Sequence, residues 1–272
     1  MNQFGAASEP QVASIKPAAQ QPALLIKEAQ LFTSAHMEQL ASLKSKLLEA
    51  APAIIKEIRD MLRLVMRGPV YVRKIQEKVF ELGRSATALE MTGISALAFG
   101  ILKLLHEHVD EPKNFSVSEF KTITQAIDVI EQLLNCAGKN ISFDFGVPLI
   151  LAVDDDRVCR TVASRALEKV QNVRCITVSN ATTALELLEE NKFDLLLLDI
   201  MLPDIDGFEL CKKARTIRLH EKTPVIFVTA AASFSHRVKS AHAGADDFIS
   251  KPFNHLELSL KIQILAMKQR LA

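Results

Sequence analysis

Five short apolar runs, LILAV (149–153), VRCITV (173–178), DLLLL (194–198), PVIFVT (224–229) and ADDFI (245–249), alternate with amphipathic stretches in the second half of the chain. The stretches lie near residues 157–170, 181–191, 207–219, 234–242 and 254–271. Short β-type runs, each followed by a helical pattern, fold as βα units in tandem. Five such units predict a doubly wound parallel sheet with helices on both faces, an α/β domain. Its ligand site should form at the carboxyl ends of the strands, where the strand order reverses.

The first half has another grammar. Val72, Ile75, Val79, Leu82, Ala86 and Leu89 recur at spacings of three and four, as do Ile94, Leu97, Ile101, Leu104 and Leu105. Ile123, Ile127, Ile130 and Leu134 make another such stripe, and Leu40, Leu43, Leu47 and Leu48 an earlier one. This predicts an all-α antiparallel bundle of four main helices plus a shorter one from about Ile54 to Met66. Breaks are expected at Pro52 and Gly68-Pro69, and Ser116 or Ser118 should cap the helix through Glu119. The expected domains are a mobile tail rich in Ala, Gln, Pro and Ser at 1–22, the bundle at 23–137, a linker at 138–147 and the α/β domain at 148–272.

Charge narrows the function. Lys plus Arg number 33 against 32 acids, and each half is near neutral, so nucleic acid and anionic membranes gain no general attraction. Arg59, Arg63, Arg67, Arg73 and Lys74 cluster near Gly68-Pro69, but Glu57, Asp60 and Glu77 interrupt them, which suits a solvated helix corner. Cys136, Cys159, Cys175 and Cys211 lack metal-type spacing and read as thiols of a reducing cytoplasm. No apolar run approaches a membrane span, and MNQFGAASEP has no signal-peptide layout, so the expectation is cytoplasmic.

The stretch LLLLDIMLPDIDGFEL poses the chemical question, because a buried run ends on Asp199. The first strand ends on Asp154-Asp155-Asp156. In a doubly wound sheet these two strands are neighbours at the switch point, which gathers Asp154, Asp155 and Asp199 at one edge. Carboxylates so close repel unless neutralised, and Mg²⁺, a hard cation that takes oxygen ligands and keeps waters, suits them. Strand four ends at Thr229 and strand five leads into Ser250-Lys251-Pro252. A hydroxyl and an ammonium facing a metal-bound carboxylate is an arrangement for phosphoryl transfer, with Asp199 as nucleophile. The Lys251-Pro252 bond is a candidate cis peptide. Taken singly these are ordinary features: a helix N-terminus that favours acids, a packing threonine, a turn.

VDDD, LLLLDIMLPDIDGFEL, VIFVTA and AGADDFISKPF together resemble the receiver domain of two-component response regulators over residues 147–272. The resemblance implies Asp199 as phosphoacceptor, Asp154 and Asp155 as the magnesium-holding pair, and the Met201 carbonyl as a further ligand. It also implies phosphoryl contacts from Thr229 and Lys251, and Phe248 as an aromatic switch residue. Partners would be a histidine kinase or histidine phosphotransfer protein and a downstream protein target, with a homodimer a further expectation. The receiver would catalyse its own phosphorylation while acting mainly as a switch.

The segment VFELGRSATALEMTGISALAFGILKLL is similar to the central hairpin of histidine phosphotransfer domains. Phe80 stands where their phosphorylated histidine belongs. Leu82, Ser85 and Ala86 fit their motif, while Gly83 and Arg84 depart from it. Phenylalanine cannot carry a phosphoryl group. His36, His106 and His108 read as surface residues near helix ends. A relay intermediate or phosphate sink, and a transcription factor with a cryptic DNA-binding bundle, are the alternative functions.

Overall fold

A computed structural model describes residues 21–137, 148–168, 173–229 and 244–271. Of the expected tail at 1–22, residues 1–20 lie outside the described residues, as do the 138–147 linker and the 234–242 helix, while Gln21 and Pro22 already belong to the first helix. Residues up to Lys46 and residues Leu47–Ala272 are separate compact units; of the first, only the helical turns from Gln21 are described.

The helical half comprises α1 (Gln21–Leu62), α2 (Pro69–Ala88), α3 (Thr92–His106) and α4 (Val117–Cys136). The expected break at Pro52, and with it the separate helix from Ile54, does not occur; α1 runs through the proline. Pro52 lies on the exposed face, where water can satisfy the carbonyl it leaves unpaired. On the other face Leu47, Ala51, Ile55, Ile58 and Leu62 form a buried stripe across it, and that packing outweighs the lost hydrogen bond. The predicted cap is present at Ser116, where the hydroxyl accepts from Glu119 N and the Glu119 carboxylate accepts from Ser116 N.

The second half comprises β1 (Leu149–Val153), α5 (Arg157–Glu168), β2 (Arg174–Val178), α6 (Ala181–Glu190), β3 (Leu195–Leu198), α7 (Gly207–Thr216), β4 (Val225–Thr229), β5 (Asp247–Ser250) and α8 (His255–Leu271). All strand pairings are parallel and the order is β2-β1-β3-β4-β5, so β1 and β3 flank the reversal as expected. One face of the sheet packs through Leu151, Leu196, Leu198 and Phe227 on α6 and α7. The other packs through Ile150, Leu195, Leu197 and Ile249 on α5 and α8.

Helix α8 belongs to both halves. Leu258, Ile262 and Leu265 enter the sheet core, while Leu260, Ile264 and Met267 enter the bundle core beside α3 and α4. A helix apolar on both sides is one buried on both sides. At Gly100 on α3 an added Cβ would lie 2.9 Å from Leu260 Cδ1, so that crossing depends on a missing side chain.

Charge is buried along the same seam. Lys261 on α8 is 1% exposed; its Nζ lies 2.7 Å from Asp247 Oδ2 and 3.7 Å from Glu257 Oε1. Asp247 Oδ1 also meets Lys121 Nζ from α4 at 3.3 Å, and Glu257 accepts from Ser118 and Thr122. Burial pushes the Asp247 carboxyl upward, but Lys261 and then Lys121 outweigh it and hold the group below its ordinary range. Burial likewise opposes Glu119, yet hydrogen bonds from Ser116, His108 and Asn254 leave it lowered. A carboxyl lowered in the folded state contributes stability that is present above its unfolded pKa and lost as pH falls through the folded one. The urea midpoint should therefore hold near neutrality and fall below about pH 4.5. Glu119→Gln should flatten part of that fall, as pH-stepped urea titrations would show.

Candidate functional site

The acids that end β1 and β3 divide their tasks. The backbone ladder places them: Asp154 N donates to Val178 O, and Asp199 N donates to Val153 O at 2.8 Å. Asp154 and Asp199 are 8% and 6% exposed, whereas Asp155 is open to solvent. Asp156 caps α5 by accepting from Val158 N at 2.7 Å, so the helix-terminus reading holds for that acid alone.

Carboxylate oxygens of Asp154, Asp155 and Asp199 all lie within 4.8 Å of one another. The Lys251-Pro252 bond is cis, and Lys251 Nζ lies 2.6 Å from Asp154 Oδ2 and 2.7 Å from Asp199 Oδ2. Burial lowers the lysine's proton affinity, but its bonds to Asp154 and Asp199 more than offset this and raise it, so it is fully charged. Burial, aided by the charge of Asp199, raises Asp154 despite the lysine. One ammonium against three acids leaves net negative charge in a half-dry site. All-oxygen donors, two of them buried and converging, fit a small divalent cation.

The neighbouring chain is built to hold this geometry. Met201 N donates to Asp199 Oδ1 at 3.1 Å. Thr229 ends β4 opposite Ser250 of β5, one residue before Lys251; its side chain lies outside the described residues. Phe248, half-buried, sits beside Phe227 in the strand register and packs on the α6–α7 side of the sheet.

Some supporting residues carry no obvious flag in the sequence. Arg160 Nη1 donates to the carbonyls of Asp154 and Asp155 at 2.6 and 2.8 Å, clamping the acidic turn from α5. Asp204 accepts from Ala181 N, Thr182 N and the Thr182 hydroxyl, which ties the loop after Asp199 to the start of α6. Burial opposes its charge, but those bonds hold its carboxyl far below the usual range. Gly207 opens α7 against the peptide of Asp199, where an added Cβ would fall 2.1 Å from Asp199 O. Since that contact is backbone, Gly207→Ala should displace Asp199. The expected outcome is a loss of about 2 kcal/mol or more in urea unfolding and weakened Mg²⁺ binding by calorimetry. The Asp206-Gly207 pair, a turn signal eight residues beyond Asp199, is the sequence signal for Gly207.

In the helical half, Phe80 is 50% exposed on α2. His106 is exposed at the end of α3, but His108 is buried, which corrects its reading as a surface residue. Its ring packs at a 45° tilt against Phe115 with centroids 4.3 Å apart, and Nε2 lies 3.2 Å from Glu119 Oε1. An ionised carboxylate only accepts, so that nitrogen carries the proton. The side chain of His36 lies outside the described residues. The basic corner is partly spoken for, since Arg59 pairs with Asp128 and Glu131 of α4 at 2.8 and 2.7 Å.

Residues 150–263 match the family model of the response regulator receiver domain. The transcriptional regulatory protein YvrH of Bacillus subtilis is 37% identical over 114 residues, which is 42% of this chain and 47% of YvrH. SrrA of Staphylococcus aureus, also named a transcriptional regulatory protein, is 38% identical over 116 residues, 43% of this chain and 46% of its own. The chain thus spans about half the length of these curated relatives. Among solved structures, the receiver domain of the Pseudomonas aeruginosa sensor histidine kinase PA1611, with a magnesium ion coordinated in its active-site cleft, is 29% identical with a TM-score of 0.42. It covers 44% of this chain and 97% of that one. A CheY-like receiver from Methanospirillum hungatei is 36% identical with a TM-score of 0.41, over 46% and 94%. No described helix is long and apolar enough to cross a membrane.

Proposed function

From residues 150–263, which form a response regulator receiver domain, we propose that the chain is a cytoplasmic two-component response regulator that takes a phosphoryl group on Asp199. The donor is the phosphohistidine of a histidine kinase or phosphotransfer protein. A carboxylate oxygen of Asp199 bonds to phosphorus, the P–N bond breaks, and the electron pair leaves with the imidazole nitrogen. Water attack on phosphorus later restores the carboxylate. The observation that carries this reading is the position of Lys251 Nζ within 2.7 Å of Asp199 and 2.6 Å of Asp154, a fixed cation beside the nucleophile.

Asp154, Asp155, Asp199 and the Met201 carbonyl would hold Mg²⁺, which supplies positive charge to the transferring oxygens. Lys251 neutralises one of those oxygens, and the Thr229 hydroxyl donates to another. Phe248 then repacks as Thr229 moves inward, and a protein partner reads the changed surface. Output through protein contact accords with the near-neutral helical half, whose charge balance gives DNA no general attraction. A relay role finds no support at Phe80, which has no nucleophilic nitrogen.

The test is intact-mass spectrometry of the full chain after acetyl phosphate and Mg²⁺. One added phosphoryl group, mapped to Asp199, is expected; an unchanged mass overturns the proposal.

A further inference from the structure

Segment 247–254 carries both Phe248 and Lys251, and it is fastened to the helical half on either side of them. At its start, Asp247 is held by Lys121 of α4 at 3.3 Å. At its end, Asn254 Nδ2 donates to Glu119 Oε1 at 3.0 Å and to Glu107 Oε2 at 2.6 Å. Glu119 and Lys121 stand two residues apart in the first turns of α4.

We infer that helix α4 positions Lys251 for phosphoryl transfer, with Asn254 and Glu119 as the positioning residues, so that the helical half sets how fast Asp199 gains and loses its phosphoryl group. The inference rests on the function proposed above. The anchor is rigid. Glu119 is 5% exposed, and its carboxylate is fixed at both oxygens, by Ser116 N on one side and by His108 and Asn254 on the other. It cannot shift without undoing the cap of α4. Asn254 in turn caps α8 by accepting from Leu256 N at 2.9 Å, and it follows Lys251 by three residues. A tie this close to an ammonium that must meet two carboxylates has leverage, because misplacing a reacting group by about 1 Å costs up to 100-fold in rate. Coupling of this kind is reciprocal, so a phosphoryl group that draws on Lys251 also pulls on α4.

Full-chain Asn254→Asp separates this role from a structural one. Aspartate still caps Leu256 N but loses the amide donor and faces Glu107 and Glu119 with a third carboxylate. Phosphorylation by acetyl phosphate should slow by about tenfold. The Mg²⁺ dissociation constant from calorimetry should change far less, because the backbone bonds of Asp154 and Asp199 and the Arg160 clamp hold the three acids independently of Asn254. Adding Glu119→Gln gives the new carboxylate an amide donor and keeps a residue that serves in a capping box, so most of the rate should return. An unchanged rate in Asn254→Asp, an equal loss of Mg²⁺ affinity, or no recovery in the double variant overturns the inference while the proposed function stands. A wild-type chain that takes no label removes both.

Discussion

Asp199→Asn is expected to abolish phosphoryl acceptance outright while leaving the chain folded. The amide is nearly isosteric with the carboxylate but cannot form the acyl phosphate, so no residual rate should be measurable by intact mass. Lys251 keeps its 2.6 Å bond to Asp154, and the Asp199 backbone bond to β1 is untouched, so the site stays assembled. Electrostatics predicts a second result. Asp154 is raised first by burial and further by the charge of Asp199, so removing that charge should lower the Asp154 titration midpoint in carbon-13 carboxylate NMR. Removing one of three crowded acids should also raise the urea midpoint slightly, a stability that the functional site forgoes. Phosphorylation persisting in the variant at another residue would sink Asp199 as the acceptor.

Leu260→Asp should unfold both halves together. Leu260 is fully buried in the bundle core, though it belongs to the last helix of the sheet domain. Burying an unpaired carboxylate there costs more than about 4 kcal/mol, a large part of the stability of an ordinary domain. The milder Leu260→Ala should cost about 2–5 kcal/mol and remain measurable. The chain has one tyrosine, Tyr71 on α2, which reports the bundle by fluorescence. Cys211 on α7 is fully buried in the sheet core, so its labelling by a thiol reagent reports the other half. Both probes should give the same urea midpoint, shifted equally by Leu260→Ala. Separate transitions, with only the tyrosine moving, would show that the halves fold independently.

The sheet and its acidic edge could be read from the sequence because their signals are local. Each strand is a short apolar run, all but β2 ending in chemistry, and the parallel order follows from the connections. Asp154, Asp155, Asp199 and Lys251 meet as expected, while the side chain of Thr229 is outside the described residues. Pro52 misled because a local breaking rule was applied where long-range burial of Ala51 and Ile55 decides. His108 misled because its partners, Phe115 and Glu119, come together only in three dimensions. The double role of α8 was hinted at by Leu256, Leu258, Leu260, Ile262, Ile264, Leu265 and Met267, too many apolar positions for one face. Periodicity shows that such a helix is buried all round; it does not show against what.

A sheet domain and a helical bundle joined in one chain look like parts that could be exchanged at their boundary. Here they cannot be, because α8 closes both cores. A fragment cut ahead of β1 would lose Leu260, Ile264 and Met267 from its interior, and a receiver cut free would present the same three side chains to water. The two parts can therefore be exchanged only as a pair, and mutations along the far side of α8 must be matched by changes on α3 and α4.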